Sequence, residues 1–347
     1  MKIKLTFTVF SLILFISQIS WGQSLLEIRN EVNQYKIYTS IEDALTKPKE
    51  VYRLKLNDSA VDEKLLEEAL YKFQNLRELV LSNTFISKIP SSIGNLKNLQ
   101  FLEVGHLKEQ NLNLFKIPKS IQKLKEIVYI NLIGNPNLEW DDTFLYLSKL
   151  PKLINVALMY NNYKMLPKEI TMLSSLEMIW LGKNPDLDLK DAFLKLSKLD
   201  KLRQMGLGGN GHTQLPNEIV LLKNIQNLWL SGNNWQSLDG LQYLPKLSQL
   251  SLHNCNLSVL PKELFQCKKL EYLSLLGNSN MDFDKVLKEI PISVKVLNLS
   301  DNNIENLDTD ALIITNLQKL ILNNNNISES NLEKIQQANK DLKIQLK

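Results

Sequence analysis

The sequence predicts an α/β solenoid, with short parallel strands side by side on one face and short helical or irregular segments returning along the other. Three observations carry that prediction. The pattern L-x-x-L-x-L-x-x-N recurs from residue 51 to residue 325, in units beginning at 51, 76, 99, 127, 153, 176, 202, 225, 247, 270, 294 and 317, at intervals of 22 to 28 residues. Within each unit the apolar fourth and sixth positions alternate with variable ones, the period of two that marks a strand with one buried face. Segments between strands such as Ile89 to Asn98 and Leu215 to Asn224 carry a proline, which stops the strand register, and then an inward Ile or Leu on a short helical turn. One such unit cannot bury its own apolar face. Stacked units bury a continuous core.

The first 22 residues read as a secretory signal peptide: Lys2 and Lys4, an apolar run from Leu5 to Ile19, then Ser20-Trp21-Gly22 with small residues flanking a cleavage point after Gly22. The run of fifteen residues falls short of the ~20 that cross a bilayer as a helix. Residues 23–50 read as an N-terminal cap in which Ser40 caps a short helix from Ile41 to Leu45. About twelve repeats fill 51–329, and 330–347 reads as a C-terminal cap of one amphipathic helix and a last short strand. Clear strand copies are Leu76 to Thr84, Leu176 to Asn184, Ile225 to Asn233, Leu270 to Asn278 and Leu317 to Asn325. The asparagine that recurs at Asn135, Asn161, Asn184, Asn210, Asn233, Asn278, Asn302 and Asn325 suits a turn leaving the strand, where its amide bonds backbone groups that the bend leaves unpaired. Its role is structural.

These units, with return segments such as Ile89 to Asn98, Leu166 to Ser175, Leu215 to Asn224 and Leu260 to Lys269, resemble the leucine-rich repeat family. The subclass is the one with I/L-P-x-x-I/L-x-x-L convex segments, found in plant receptors and in many secreted bacterial proteins. The resemblance covers about four fifths of the chain and implies a horseshoe with a parallel concave β-sheet and short helical or irregular convex segments. It implies little about activity, because function sits in sites grafted on the scaffold. Protein or peptide partners are the family's usual ligands. Cysteine-rich caps, common in extracellular members, are absent, which fits a bacterial version.

Without Lys2 and Lys4 the 41 basic residues become 39, against 37 acidic ones, so no large field of either sign exists and nucleic acid is not an expected partner. No second apolar stretch is long enough to span a membrane. The expectation is a secreted or periplasmic monomer.

Several motifs invite a chemical reading that the repeat register removes. Cys255 takes the asparagine position of its repeat, and Cys267 a position filled elsewhere by Leu, so both are expected to be buried, with pairing between them left open. His253 lies two residues from Cys255 but projects outward where Cys255 turns inward, so the two form no nucleophile pair. His106 and His212 lie in other repeats with no triad-like spacing. The stretch Gly206 to Gly211 matches G-x-G-x-x-G, yet it ends a strand without opening a helix, and its glycines strip side chains from the sheet face. Asp186, Asp188 and Asp191 lie in one of two similar acidic loops. They suit capping of the next helical segment better than a calcium loop. No catalytic residue, metal ligand or cofactor site is expected.

The outward strand positions are the third, fifth and seventh of each unit. Across repeats four to ten none of these 21 positions is Asp, Glu, Lys or Arg, in a chain that is 22% charged. Charges return at the ends, with Arg53, Lys55, Glu78 and Glu103 on one side and Lys319 on the other. Seven strands at ~4.8 Å make this neutral zone ~30 Å wide, wide enough for an extended peptide, a glycan chain or one face of a small protein. The candidate ligand-binding residues are Tyr129, Asn155, Met159, Met178, Trp180, Gln204, Gly206, Asn227, Trp229, Gln249, His253 and Tyr272. Trp180 and Trp229 flank Gly206 at ~10 Å. Either they frame a slot for a flat group, or they lie across the glycines and fill space. The function expected is non-enzymatic recognition of a protein, peptide or glycan on this face; the alternative is a structural or adhesive envelope spacer.

Overall fold

The computed structural model describes residues 23–58, 60–105, 114–313 and 316–346. The signal peptide with its cleavage point, His106 and Lys347 lie outside the described residues. The chain divides into two compact units, one ending at Leu158 and the other beginning at Met159.

In the first unit the elements run α1 (Gln23–Asn33), β1 (Ile37–Tyr38), α2 (Ile41–Thr46), β2 (Arg53–Lys55), α3 (Glu63–Leu70), β3 (Glu78–Val80), β4 (Phe101–Glu103), β5 (Tyr129–Asn131), α4 (Trp140–Leu147) and β6 (Asn155–Ala157). Each strand pairs in parallel with the next. That register aligns Leu54, Leu79, Leu102, Ile130 and Val156, all fully buried, in one row. Pro90 and Pro118 open 3-10 turns at Ser91–Asn95 and Lys119–Lys123, which drive Ile93 and Ile121 into the core. The Ser40 hydroxyl accepts from Asp43 N at 3.0 Å and caps α2.

Helix α1 and strand β1 were not expected from the sequence, although Leu25 and Val32, both buried, already stand at helical spacing. Their consequence is electrostatic. Arg29 of α1 reaches Glu78 on β3, Nη1 to carboxylate at 2.8 Å, where Arg53 Nε (2.5 Å) and Lys55 Nζ (3.1 Å) also converge. Glu78 is fully buried. The Arg29 guanidinium lies 4.7 Å over the Phe101 ring and 3.7 Å from Glu103. Burial pushes the Glu78 carboxyl up, but Arg29, Lys55 and Arg53 outweigh it and hold the group below its ordinary range.

The second unit contains β7 (Met178–Trp180), α5 (Leu189–Leu196), β8 (Gln204–Gly206), β9 (Asn227–Trp229), β10 (Gln249–Ser251), β11 (Tyr272–Ser274), α6 (Phe283–Glu289), β12 (Val296–Asn298), α7 (Thr309–Ile313), β13 (Lys319–Ile321), α8 (Glu329–Ala338) and β14 (Lys343–Gln345). Strands β7 to β14 pair in parallel in chain order. Within this unit Leu228, Leu250, Leu273, Leu297 and Leu320 align in a buried row.

The asparagines form a ladder. Asn184 N donates to Asn210 Oδ1 at 2.7 Å, Asn210 N to Asn233 Oδ1 at 3.0 Å, and Asn302 N to Asn325 Oδ1 at 3.0 Å. The amide nitrogens of Asn233, Asn278, Asn302 and Asn325 also bridge two repeats: Asn233 Nδ2 donates to Leu230 O at 2.8 Å and to Leu207 O at 3.0 Å. At the eighth position of every described repeat the backbone turns left-handed, and Asp, Asn or Gly fills it except at Tyr160 (φ 60°) and Lys183 (φ 58°).

Replacing Glu78 by Gln keeps its shape but removes the buried carboxylate that Arg53, which is buried, and Arg29 and Lys55, which are half-buried, converge on. Urea unfolding of Glu78→Gln is expected to show a loss of about 3–5 kcal/mol. Arg29→Met is expected to lose less, since Arg53 and Lys55 still neutralise the carboxylate.

Candidate concave-face site

The outward positions project from the sheet as the alternation requires, but most are not exposed. In the first unit Tyr129 is 8% and Asn155 1% exposed; in the second Met178 is 2% and His253 9% exposed, and Asn227 and Gly206 are also buried. Met159, Trp180, Gln204, Trp229, Gln249 and Tyr272 are half-buried. The expectation of an open face is therefore corrected. Strands ~4.8 Å apart carry side chains wider than that spacing, so each large group leans on its neighbours and closes over the smaller ones. The result is a second packed layer.

The slot between the tryptophans is absent. In the β7–β8–β9 register Trp180, Gly206 and Trp229 are consecutive partners, and the two indoles lean together, ring centroids 4.9 Å apart with planes at 38°. A Cβ on Gly206 would lie 2.4 Å from Trp180 Cε3, so the glycine's bareness accommodates the ring rather than a ligand. What the pair presents is one half-buried aromatic platform.

Polar atoms line this layer without partners. Asn155 Oδ1 in the first unit, and Gln204 Oε1 and both ring nitrogens of His253 in the second, form no hydrogen bond among the described residues. Ser231 and Ser251 share one between their hydroxyls at 2.9 Å. Desolvation pulls His253 down to about 4, so its ring is neutral at pH 7.

The other motifs are structural. Cys255 and Cys267 are both free and buried, and burial pushes each thiol up to about 11. The Cys255 thiol lies 3.5 Å from Leu230 O, turned to the ladder and not to the His253 ring. Asp188 caps α5, accepting from Lys190 N at 2.9 Å and Asp191 N at 3.1 Å, while Asp191 pairs with Lys195 at 2.6 Å. Among the described residues no group of three or more His, Cys, Asp or Glu is placed to hold a metal ion. Nor is any described helix long and apolar enough to cross a membrane.

Stacked parallel strands, an asparagine ladder and proline-opened 3-10 turns define a leucine-rich repeat solenoid. The family model described as Leucine Rich Repeat matches residues 75–96 and 316–338. Among solved structures the chain is similar to an internalin from Listeria monocytogenes, at 20% identity over 88% of this chain and 92% of that one, with a TM-score of 0.53. It also matches a leucine-rich repeat protein of Leptospira interrogans, at 23% identity over 90% of this chain and 100% of that one, with a TM-score of 0.40. No curated protein matches the chain in sequence.

Two outcomes follow from the packed layer. Gly206→Ala is expected to push the Trp180 indole aside, shifting the tryptophan fluorescence and costing about 1–3 kcal/mol in urea unfolding; an unchanged spectrum would contradict the stacking. The unfolded chain takes up the His253 proton near pH 6.5 and the folded chain only near 4, so acid favours unfolding across that window. Relative to His253→Phe, the wild type is expected to lose up to about 3 kcal/mol of stability between pH 7 and pH 4.

Proposed function

We propose that the chain is a non-enzymatic binding module, exported by its first 22 residues, whose second unit recognises a protein or peptide on the outward face of its sheet. The observation that carries this reading is the Trp180–Trp229 platform, half-buried in a layer where most neighbours are closed over and no outward residue from Tyr129 to Leu276 is charged. Leucine-rich repeat folds commonly mediate protein binding, which supports the reading. A glycan is the weaker ligand. Vicinal sugar hydroxyls are best held by carboxylates and guanidinium groups, and this face has none, whereas the side-chain amides of Gln204, Asn227 and Gln249 match a peptide's own amides.

The test compares the wild type with Trp180→Ala/Trp229→Ala, both shown to be folded, in affinity capture from cell envelope and medium. A protein retained by the first and lost by the second is the expected result. Equal recovery by both would move the assignment to the structural or adhesive spacer.

A further inference from the structure

Repeat seven, beginning at Leu202, is where two side chains of the preceding repeat come to rest. Trp180 lies over Gly206, and the Lys183 side chain lies over Gly209: a Cβ on Gly209 would be 2.5 Å from Lys183 Cε and 2.6 Å from its Nζ. Gly208 stands between them, where a Cβ would first meet backbone, Ser231 O at 3.1 Å, with the Ser231 Cβ at 4.0 Å. The repeat thus carries an aromatic ring at one end, an ammonium at the other and bare backbone in the middle.

Lys183 is exposed and forms no ion pair among the described residues. Its backbone is left-handed, at φ 58°, in a position where the next four repeats place Gly209, Gly232, Asn254 and Gly277. The amine is therefore set at this rim despite an unfavourable backbone. Two repeats on, at the seventh position that Gly208 holds in repeat seven, His253 is nine-tenths buried with neither ring nitrogen bonded among the described residues. Neutral at pH 7, its ring offers one donor and one acceptor.

Resting on the reading of this face as a peptide-binding surface, we infer that repeat seven forms a two-part subsite for an acidic extended peptide, in which Lys183 takes a carboxylate and the Trp180–Trp229 platform takes an apolar or aromatic side chain. Charge complementarity selects the acid, since the ammonium forms no ion pair among the described residues and no carboxylate stands among the outward residues of repeats four to ten. Geometry sets the spacing. Gly206 and Gly209 are three residues apart, at most ~10 Å, and side chains i and i+2 of an extended peptide project on one side ~7 Å apart. The recognised segment carries Asp or Glu two residues from a Phe, Tyr, Trp or Leu.

The test is selection of a displayed random peptide library on the folded protein, followed by titration of a selected peptide and its Glu→Gln or Asp→Asn form against wild type, Lys183→Gln and Lys183→Gly. Glycine suits the left-handed backbone, so the last variant removes the amine without adding strain. The expected result is a consensus with an acid two residues from an apolar group, an affinity about tenfold lower for the amide form on wild type, and no difference between the two forms on either variant. A consensus lacking the acid, or an acid preference that survives in both variants, would overturn the subsite and leave the peptide-binding face standing. No peptide selected, or selected peptides indifferent to Trp180→Ala/Trp229→Ala, would overturn the face itself. Lys183-dependent binding of oligouronate in place of any peptide would assign the subsite to an acidic glycan.

Discussion

The interaction on which the structure depends is the buried asparagine amide at the strand exit. Leaving the strand, the backbone bends and exposes N–H and C=O groups inside the stack, where each unpaired group costs about 1–3 kcal/mol. An Asn side chain answers several at once: Asn278 donates to Leu275 O (2.9 Å) and Leu252 O (2.8 Å), and its oxygen accepts from Cys255 N (3.0 Å) and Leu257 N (3.1 Å). Because one amide serves two repeats, the stacking distance and the bend are set together. Cys255 makes a softer joint, since its thiol reaches Leu230 O and His253 O at 3.5 and 3.4 Å and offers no acceptor comparable to an amide oxygen.

With the inner positions so constrained, variation collects on the outer ones, and there the two units differ. The first unit spends the outward positions of its leading strands on Arg53, Lys55 and Glu78, which fasten α1 to the sheet. The second leaves them uncharged from β7 to β11 and concentrates its glycines in repeat seven, where the side chains of the previous repeat settle.

The repeats, the ladder, the proline-opened turns and the Ser40 and Asp188 caps were legible in the sequence because each follows from spacing within about ten residues. What alternation reports is direction, and it says nothing of how closely the neighbours crowd. Tyr129, Asn155, Met178 and His253 point outward as read, yet are buried by residues some 25 positions away in the chain. The same limit hid the collapse of Trp180 onto Gly206, the Lys183 side chain over Gly209, and the Arg29 to Glu78 pair, which joins residues 49 positions apart.

Strand β1 is only two residues long, and β2 beside it pairs with it through Arg53 and Leu54 alone. A long flat strand at that border would offer a row of free N–H and C=O groups able to recruit an identical chain. So brief a border strand, followed at once by α2, presents almost no template. The way the chain begins its sheet is thus a safeguard against end-to-end aggregation, a hazard that accompanies any protein built by open-ended stacking.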